Sequence, residues 1–203
     1  RILHRLAGAA ATDENKRKLE GYRELGIGYY TAAYGADDNQ IWAQLDLAAS
    51  LWARATKLIR GQPIQRSEDQ VALLCRGIAV CGEVRSLKPN YFFGYNLETL
   101  LAAEAAKITG KAPVEFLSCE PDSLLELAES ANKNSRFLIH GTRATLLLAS
   151  KDASRERILA ELSRAESVLA GLGNQSEDNI PTQVFWQRGF AVPGVTPPRR
   201  SSL

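Results

Sequence analysis

The sequence predicts an all-α fold in which antiparallel helix hairpins stack into a repeat or short solenoid. Three observations carry that prediction. Apolar residues recur at spacings of four and three in several separate segments, helix stop signals fall between those segments, and no long segment alternates as a half-buried strand would. Helices joined by short loops become antiparallel neighbours, and hairpins in series form a bundle or a solenoid. A chain of 203 residues can bury a core of several helices. With 45% hydrophobic and 24% charged residues, neither wholesale disorder nor a fibrous chain is indicated.

Each element follows from local chemistry. Leu3 and Leu6 start a short helical candidate, and Asp13-Glu14 suit the positive end of a helix running from Lys16 to Tyr34. Leu19, Tyr22, Leu25, Tyr29 and Ala33 would be its buried face, with a kink or break at Gly26 and Gly28. From Asp37 to Arg60, the residues Ile41, Leu45, Ala48, Trp52, Ala55 and Ile59 fall on one helical stripe. Leu47, Leu51 and Leu58 add a second stripe, as in a helix packed between neighbours, and Gly61 and Pro63 supply the stop. Ser67 and Gln70 have the spacing of a capping box, so a new helix is expected there. It carries Leu73, Gly77, Val80, Val84 and Leu87 and ends at Pro89, which disfavours helical angles in its predecessor. Gly77 and Gly82 each cost about 1 kcal/mol relative to Ala inside a helix, which points to close approach of another helix at both.

The next helix is expected from about Tyr91 to Thr109, closed by Gly110 and Pro113, followed by an extended or turn-like Val114 to Leu117. Pro121 suits the first turn of a short helix with Leu124, Leu125, Leu127 and Ala128, broken at Asn132 and Asn134. Phe137 to Ala149 form another, and Ile158, Leu162, Ala165, Leu169 and Leu172 mark a last long helix ending at Gly171-Leu172-Gly173. The division is thus a helical-repeat domain over 1–173 and, over 174–203, a short docking helix with an extended tail.

Charge and composition narrow the function classes. The formal net charge is +2, so the concentrated basic face of a nucleic-acid binder is not expected, although Lys151, Arg155, Arg157 and Arg164 could make one. No segment approaches the roughly 20 apolar residues of a spanning helix, and the N-terminus lacks the pattern of a signal peptide. No membrane association and a cytoplasmic location are therefore expected. The three cysteines, Cys75, Cys81 and Cys119, read as reduced, buried thiols. Cys75 and Cys81 lie six apart and His4 and His140 far off, so no metal site is expected. Gly26-Ile27-Gly28 lacks the strand before it and the Lys-Ser or Lys-Thr after it that a phosphate loop needs, and no cofactor is expected. The chain contains no methionine and begins at Arg1, as a piece of a longer protein would.

Two joints resemble the tetratricopeptide repeat, a helix pair with small residues at the crossing and a proline at its end. Gly77, Cys81, Val84 and Pro89 have about the spacing of that family's second helix, and Tyr95-Asn96-Leu97 resembles the opening of the next repeat. Glu98 departs from the pattern, standing where the family has Gly or Ala, and Val84 where it prefers Ala. Ala48, Trp52 and Ala55 repeat the second-helix spacing, so about half of the chain is covered. The run from Lys88 to Leu101 also resembles the tetratricopeptide-like TRAF-binding region of apoptosis-signalling kinases and their bacterial relatives. That resemblance implies a regulatory or scaffolding module inside a multidomain signalling protein.

No catalytic residues are expected. His140 reads as a structural hydrogen-bonding group, and Glu115, Glu120, Asp122, Glu126 and Glu129 as a solvated acidic stretch. The favoured function is a non-catalytic scaffold for a protein or peptide partner, including another part of the same chain. Tyr91, Phe92, Tyr95, Asn96 and Arg143 are its candidate contact residues, because aromatics and Arg on a helical stack anchor partner peptides. The alternatives are an enzyme or small-ligand sensor with a pocket between helices, using His140 with Glu115 or Glu120, and a nucleic-acid-binding helical module.

Overall fold

A computed structural model of the chain describes residues 25–33, 41–56, 58–59, 62–63, 66–132, 135–150 and 153–171. Seven α-helices account for most of them: α1 (residues 25–33), α2 (Ile41–Thr56), α3 (Ser67–Leu87), α4 (Phe92–Thr109), α5 (Pro121–Ala131), α6 (Arg136–Ala149) and α7 (Arg155–Gly171). The all-α class expected from the periodicity is observed, and the helices pack mainly against their neighbours in the chain, as in a helical repeat or solenoid. The expected helix at Leu3 and Leu6 and the whole of 174–203 lie outside the described residues.

Helix α4 organises the rest. It packs on α2 and α3 on one side and on α5 and α6 on the other, so two apolar clusters share it as a wall. The first cluster gathers Leu47, Leu51, Leu74, Val84 and Leu101, all essentially inaccessible, together with Trp52 and Cys81. The second unites Phe92 and Tyr95 of α4 with Leu124, Leu125, Phe137, Ile139 and Ala165. Phe93 and Leu117 touch both clusters, which makes the hydrophobic contact continuous along the stack. Burial of aliphatic and aromatic side chains on this scale is the main favourable contribution to folding.

Three junctions behave as their residues dictate. Gly110 closes α4 in the left-handed region, with φ 71°, and its N–H donates to the carbonyl of Ala106 at 2.8 Å. Pro113 to Phe116 make one 3-10 turn, whose Glu115 carboxylate accepts from the Ala112 N–H at 2.9 Å. Pro121 occupies the first turn of α5, where a missing amide hydrogen leaves nothing unsatisfied.

Five local expectations are corrected. The helix expected to reach Arg60 ends at Thr56, and Leu58 and Ile59 instead pair antiparallel with Pro63 and Gln62 in a two-residue ladder. The β-branched Thr56 turns its hydroxyl back to the Trp52 carbonyl at 2.8 Å. The capping box at Ser67 does not form: Ser67 is the first helical residue, and Gln70 Nε2 donates across to the Ala55 carbonyl at 2.8 Å, tying the start of α3 to the end of α2. That carbonyl is one of the orphans at a helix end, so the tertiary partner satisfies a real need. In α1, Leu25 and Tyr29 are not the buried face; they are 54% and 68% exposed, and Ile27 and Tyr30 pack on the first cluster instead. The helix runs through Gly26 and Gly28 without a break. Finally, a Cβ at Gly77 would lie 3.0 Å from Leu101 Cδ1 and 3.6 Å from the Ala48 carbonyl, as close approach requires, whereas one at Gly82 would meet nothing within 4 Å. The close approach not anticipated is at Gly94, where a Cβ would come within 3.3 Å of both Val84 Cγ1 and Arg85 Cγ.

Candidate functional site

The α6–α7 hairpin carries a concavity lined by both charged and apolar side chains. A groove of about 370 Å³ is lined by Arg143, Leu146 and Leu147 from α6, by Arg157, Ala160, Glu161 and Arg164 from α7, and by Asp122 from the first turn of α5. Arg143 and Leu147 are four apart, and Arg157, Glu161 and Arg164 follow at four and three, so each helix offers one stripe to the groove. Leu146 and Leu147 are only partly buried, and they contribute an apolar floor to the groove.

Charge in the groove is ordered by Glu161, which is 9% exposed. One of its oxygens lies 2.8 Å from His140 Nδ1, and the other accepts from Arg164 Nη1. A carboxylate can only accept, so Nδ1 carries the imidazole proton in this contact. His140 thus makes a side-chain hydrogen bond, as its structural reading expects, and its acidic partner is Glu161, not the Glu115 or Glu120 named for the enzyme alternative. The two helices bring His140 and Glu161 together across 21 positions, a separation that no local spacing encodes. With both oxygens of Glu161 occupied, Arg143 and Arg157 remain as guanidiniums with no ion-pair partner among the described residues. The lining holds three guanidiniums and two carboxylates, and no hydroxyl or thiol nucleophile.

The five expected contact residues divide sharply. Arg143 lies in the groove, half-buried. Tyr91 is half-buried at the start of α4, edge-to-face with the exposed Trp42 at 5.5 Å between ring centroids and beneath the Lys88 ammonium at 5.1 Å. Phe92, Tyr95 and Asn96 are interior, at 2%, 6% and 6% exposure. The Tyr95 hydroxyl donates to the Pro89 carbonyl, and Asn96 Oδ1 accepts from Thr142 Oγ1 at 2.9 Å, joining α4 to α6. The correction has a plain cause: α4 is covered on two sides, so aromatic residues at its start are walls of the second cluster. Replacing Phe92 with Ala would cost about 3–5 kcal/mol of stability rather than report on a partner.

A second polar constellation was missed. Glu98, 3% exposed within the apolar α4, receives both Nε and Nη2 of Arg85 from α3, the latter at 3.0 Å, and Arg85 also donates to Ser118 Oγ at 3.4 Å. Burial pushes the Glu98 carboxyl above its ordinary range, against the opposing pull of Arg85. The same burial, aided by Glu98, pushes the Cys81 thiol well up. The signal in the sequence was the carboxylate itself, standing where the tetratricopeptide pattern has a small residue; its partner thirteen positions away was not legible. The thiols differ from expectation too, since only Cys81 is buried, while Cys75 is exposed and Cys119 half-buried.

The four residues that could make a basic face are placed only in part. Arg157 and Arg164 line the groove beside Asp122 and Glu161, Arg155 is not among its lining residues, and Lys151 lies outside the described residues. No described helix is long and apolar enough to cross a membrane. The sequence matches no protein-family model, and comparisons with curated proteins and with solved structures return no match.

Proposed function

We propose that this chain is a protein-interaction module that holds a peptide segment in the groove between α6 and α7. The observation that carries the reading is the pairing, in one concavity, of an apolar floor from Leu146, Leu147 and Ala160 with the guanidiniums of Arg143 and Arg157. Apolar contact supplies affinity and a few placed polar groups supply orientation, which is the usual division of labour in a recognition groove. The stack of helices fits the same role, because each added pair extends an outer surface without disturbing its neighbours. A regulatory scaffold of the tetratricopeptide-like kind, working beside other domains of a signalling protein, is the fuller form of this proposal. Its basis is the likeness of Gly77, Cys81, Val84, Pro89 and the Lys88 to Leu101 run to that family.

The test is peptide selection against the 203-residue chain, followed by a groove block. Ala160 is exposed and lines the groove, so Ala160→Trp fills it with little demand on the core. Selected peptides should share a recognisable class, and A160W should abolish their binding while leaving the unfolding midpoint unchanged. A selected class that binds A160W undiminished would refute the assignment of the groove.

A further inference from the structure

We infer that the segment held between α6 and α7 presents an acidic side chain flanked by apolar residues, with Arg143 and Arg157 as its anion clamp. This rests on the groove being the interaction site. The argument begins with what the groove's own charges leave undone. Each Glu161 oxygen already holds one partner, His140 on one side and Arg164 on the other, so part of the charge of Glu161 and Arg164 is met within the groove. Arg143 and Arg157 have no carboxylate within ion-pair distance among the described residues, and Asp122 is the lining's other acid. The lining therefore carries one more positive than negative charge, three guanidiniums against two carboxylates. A guanidinium offers several donors in a planar fork suited to a carboxylate, and charge-assisted pairs of this kind are among the stronger single contacts.

The surroundings distinguish an acidic peptide from a polyanion. Nucleic acid requires guanidiniums along an extended face, yet Asp122 and Glu161 lie within this groove, and Glu156 is exposed in the first turn of α7. One isolated acid can be accommodated between them; a phosphate chain would meet repulsion. The floor of Leu146, Leu147 and Ala160 asks for aliphatic neighbours next to that acid. Along α7, the rise of about 1.5 Å per residue separates Arg157 from Arg164 by about 10 Å, the reach of roughly three extended peptide residues.

The probes are three blocked pentapeptides with a single central glutamate, glutamine or lysine flanked by leucines, together with inorganic phosphate. Each is titrated into the isotopically labelled 203-residue chain while amide resonances are followed. The glutamate peptide should shift amides of α6 and α7, bind about ten-fold more tightly than its glutamine counterpart, and lose about ten-fold in R143Q or R157Q. Arg157 is exposed, so R157Q keeps the test valid should R143Q fold poorly. Equal affinity for the glutamate and glutamine peptides would overturn the acid clamp and leave the groove standing as an interaction site. Saturation of the same amides by phosphate alone, at lower concentration than by the peptide, would replace the clamp with a small-anion site. No shift in α6 or α7 with any of the three peptides would overturn both the clamp and the groove.

Discussion

Glycines 77 and 82 provide a matched test of the packing. Both lie inside α3, and the same substitution to Ala adds one methyl group at each. In a helix interior that change is worth about 1 kcal/mol in favour of folding, because Ala has less backbone freedom to lose. At Gly82 nothing lies within 4 Å of the new Cβ, so the gain should appear in full. At Gly77 the new Cβ would sit 3.0 Å from Leu101 Cδ1 and 3.4 Å from Leu101 Cδ2, and Leu101 is 0% exposed in the first cluster. Forcing an extra methyl into a filled core costs about 1–3 kcal/mol. Set against the gain of about 1 kcal/mol in propensity, G77A should end between neutral and about 2 kcal/mol destabilised. Urea unfolding followed by circular dichroism measures both variants, and the two midpoints should move in opposite directions or differ clearly in favour of G82A. In a Leu101→Val background the obstructing δ-methyls are gone, and G77A should regain most of the stabilisation seen at Gly82. If G77A proves as stable as G82A, or if its penalty is unchanged beside Leu101→Val, then α3 and α4 do not meet at Gly77 as described.

Two further outcomes follow from the buried polar groups. The folded Glu98 carboxyl titrates above its ordinary value of 4.5, so the native state holds a proton that the unfolded chain has released in the window just above that value. Stability should therefore fall as pH rises from 4.5 through the raised value, and Glu98→Gln should remove that component; a wild-type minus E98Q difference in unfolding midpoint that stays flat across this window would contradict the assignment. Among the thiols, exposed Cys75 should react first with a thiol-specific reagent and buried Cys81 last, at the rate of unfolding; prompt labelling of all three in the folded chain would mean that the first cluster is open.

Much of this molecule was legible one helix at a time. The stripe through Leu45, Ala48, Trp52 and Ala55, the stop at Gly110 and the start at Pro121 depend on residues a turn or two apart, and such local rules hold in almost any surroundings. Besides the end of α2 and the cap of α3, what failed were statements about which face meets what. Tyr29 was assigned to a buried face and is exposed, while Phe92 and Asn96 were assigned to a surface and are buried, Phe92 in the second cluster and Asn96 against Thr142. Periodicity names a stripe without naming the neighbour that covers it.

Helix order, the ends at Gly110 and Pro121 and the absence of a long strand pattern were therefore determined by the sequence alone, because hydrogen bonds four residues apart and side-chain spacing are local quantities. Only the tertiary arrangement decided that α4 is enclosed from two sides, that Gln70 closes the end of α2, and that Arg85 meets Glu98. The candidate site belongs to the same group. His140 and Glu161 lie 21 positions apart, and Arg143 shares a groove with Arg157 solely because α6 and α7 fold back on each other. Contacts of that separation depend on how whole helices dock, a choice made by the summed burial of many side chains rather than by any one pair.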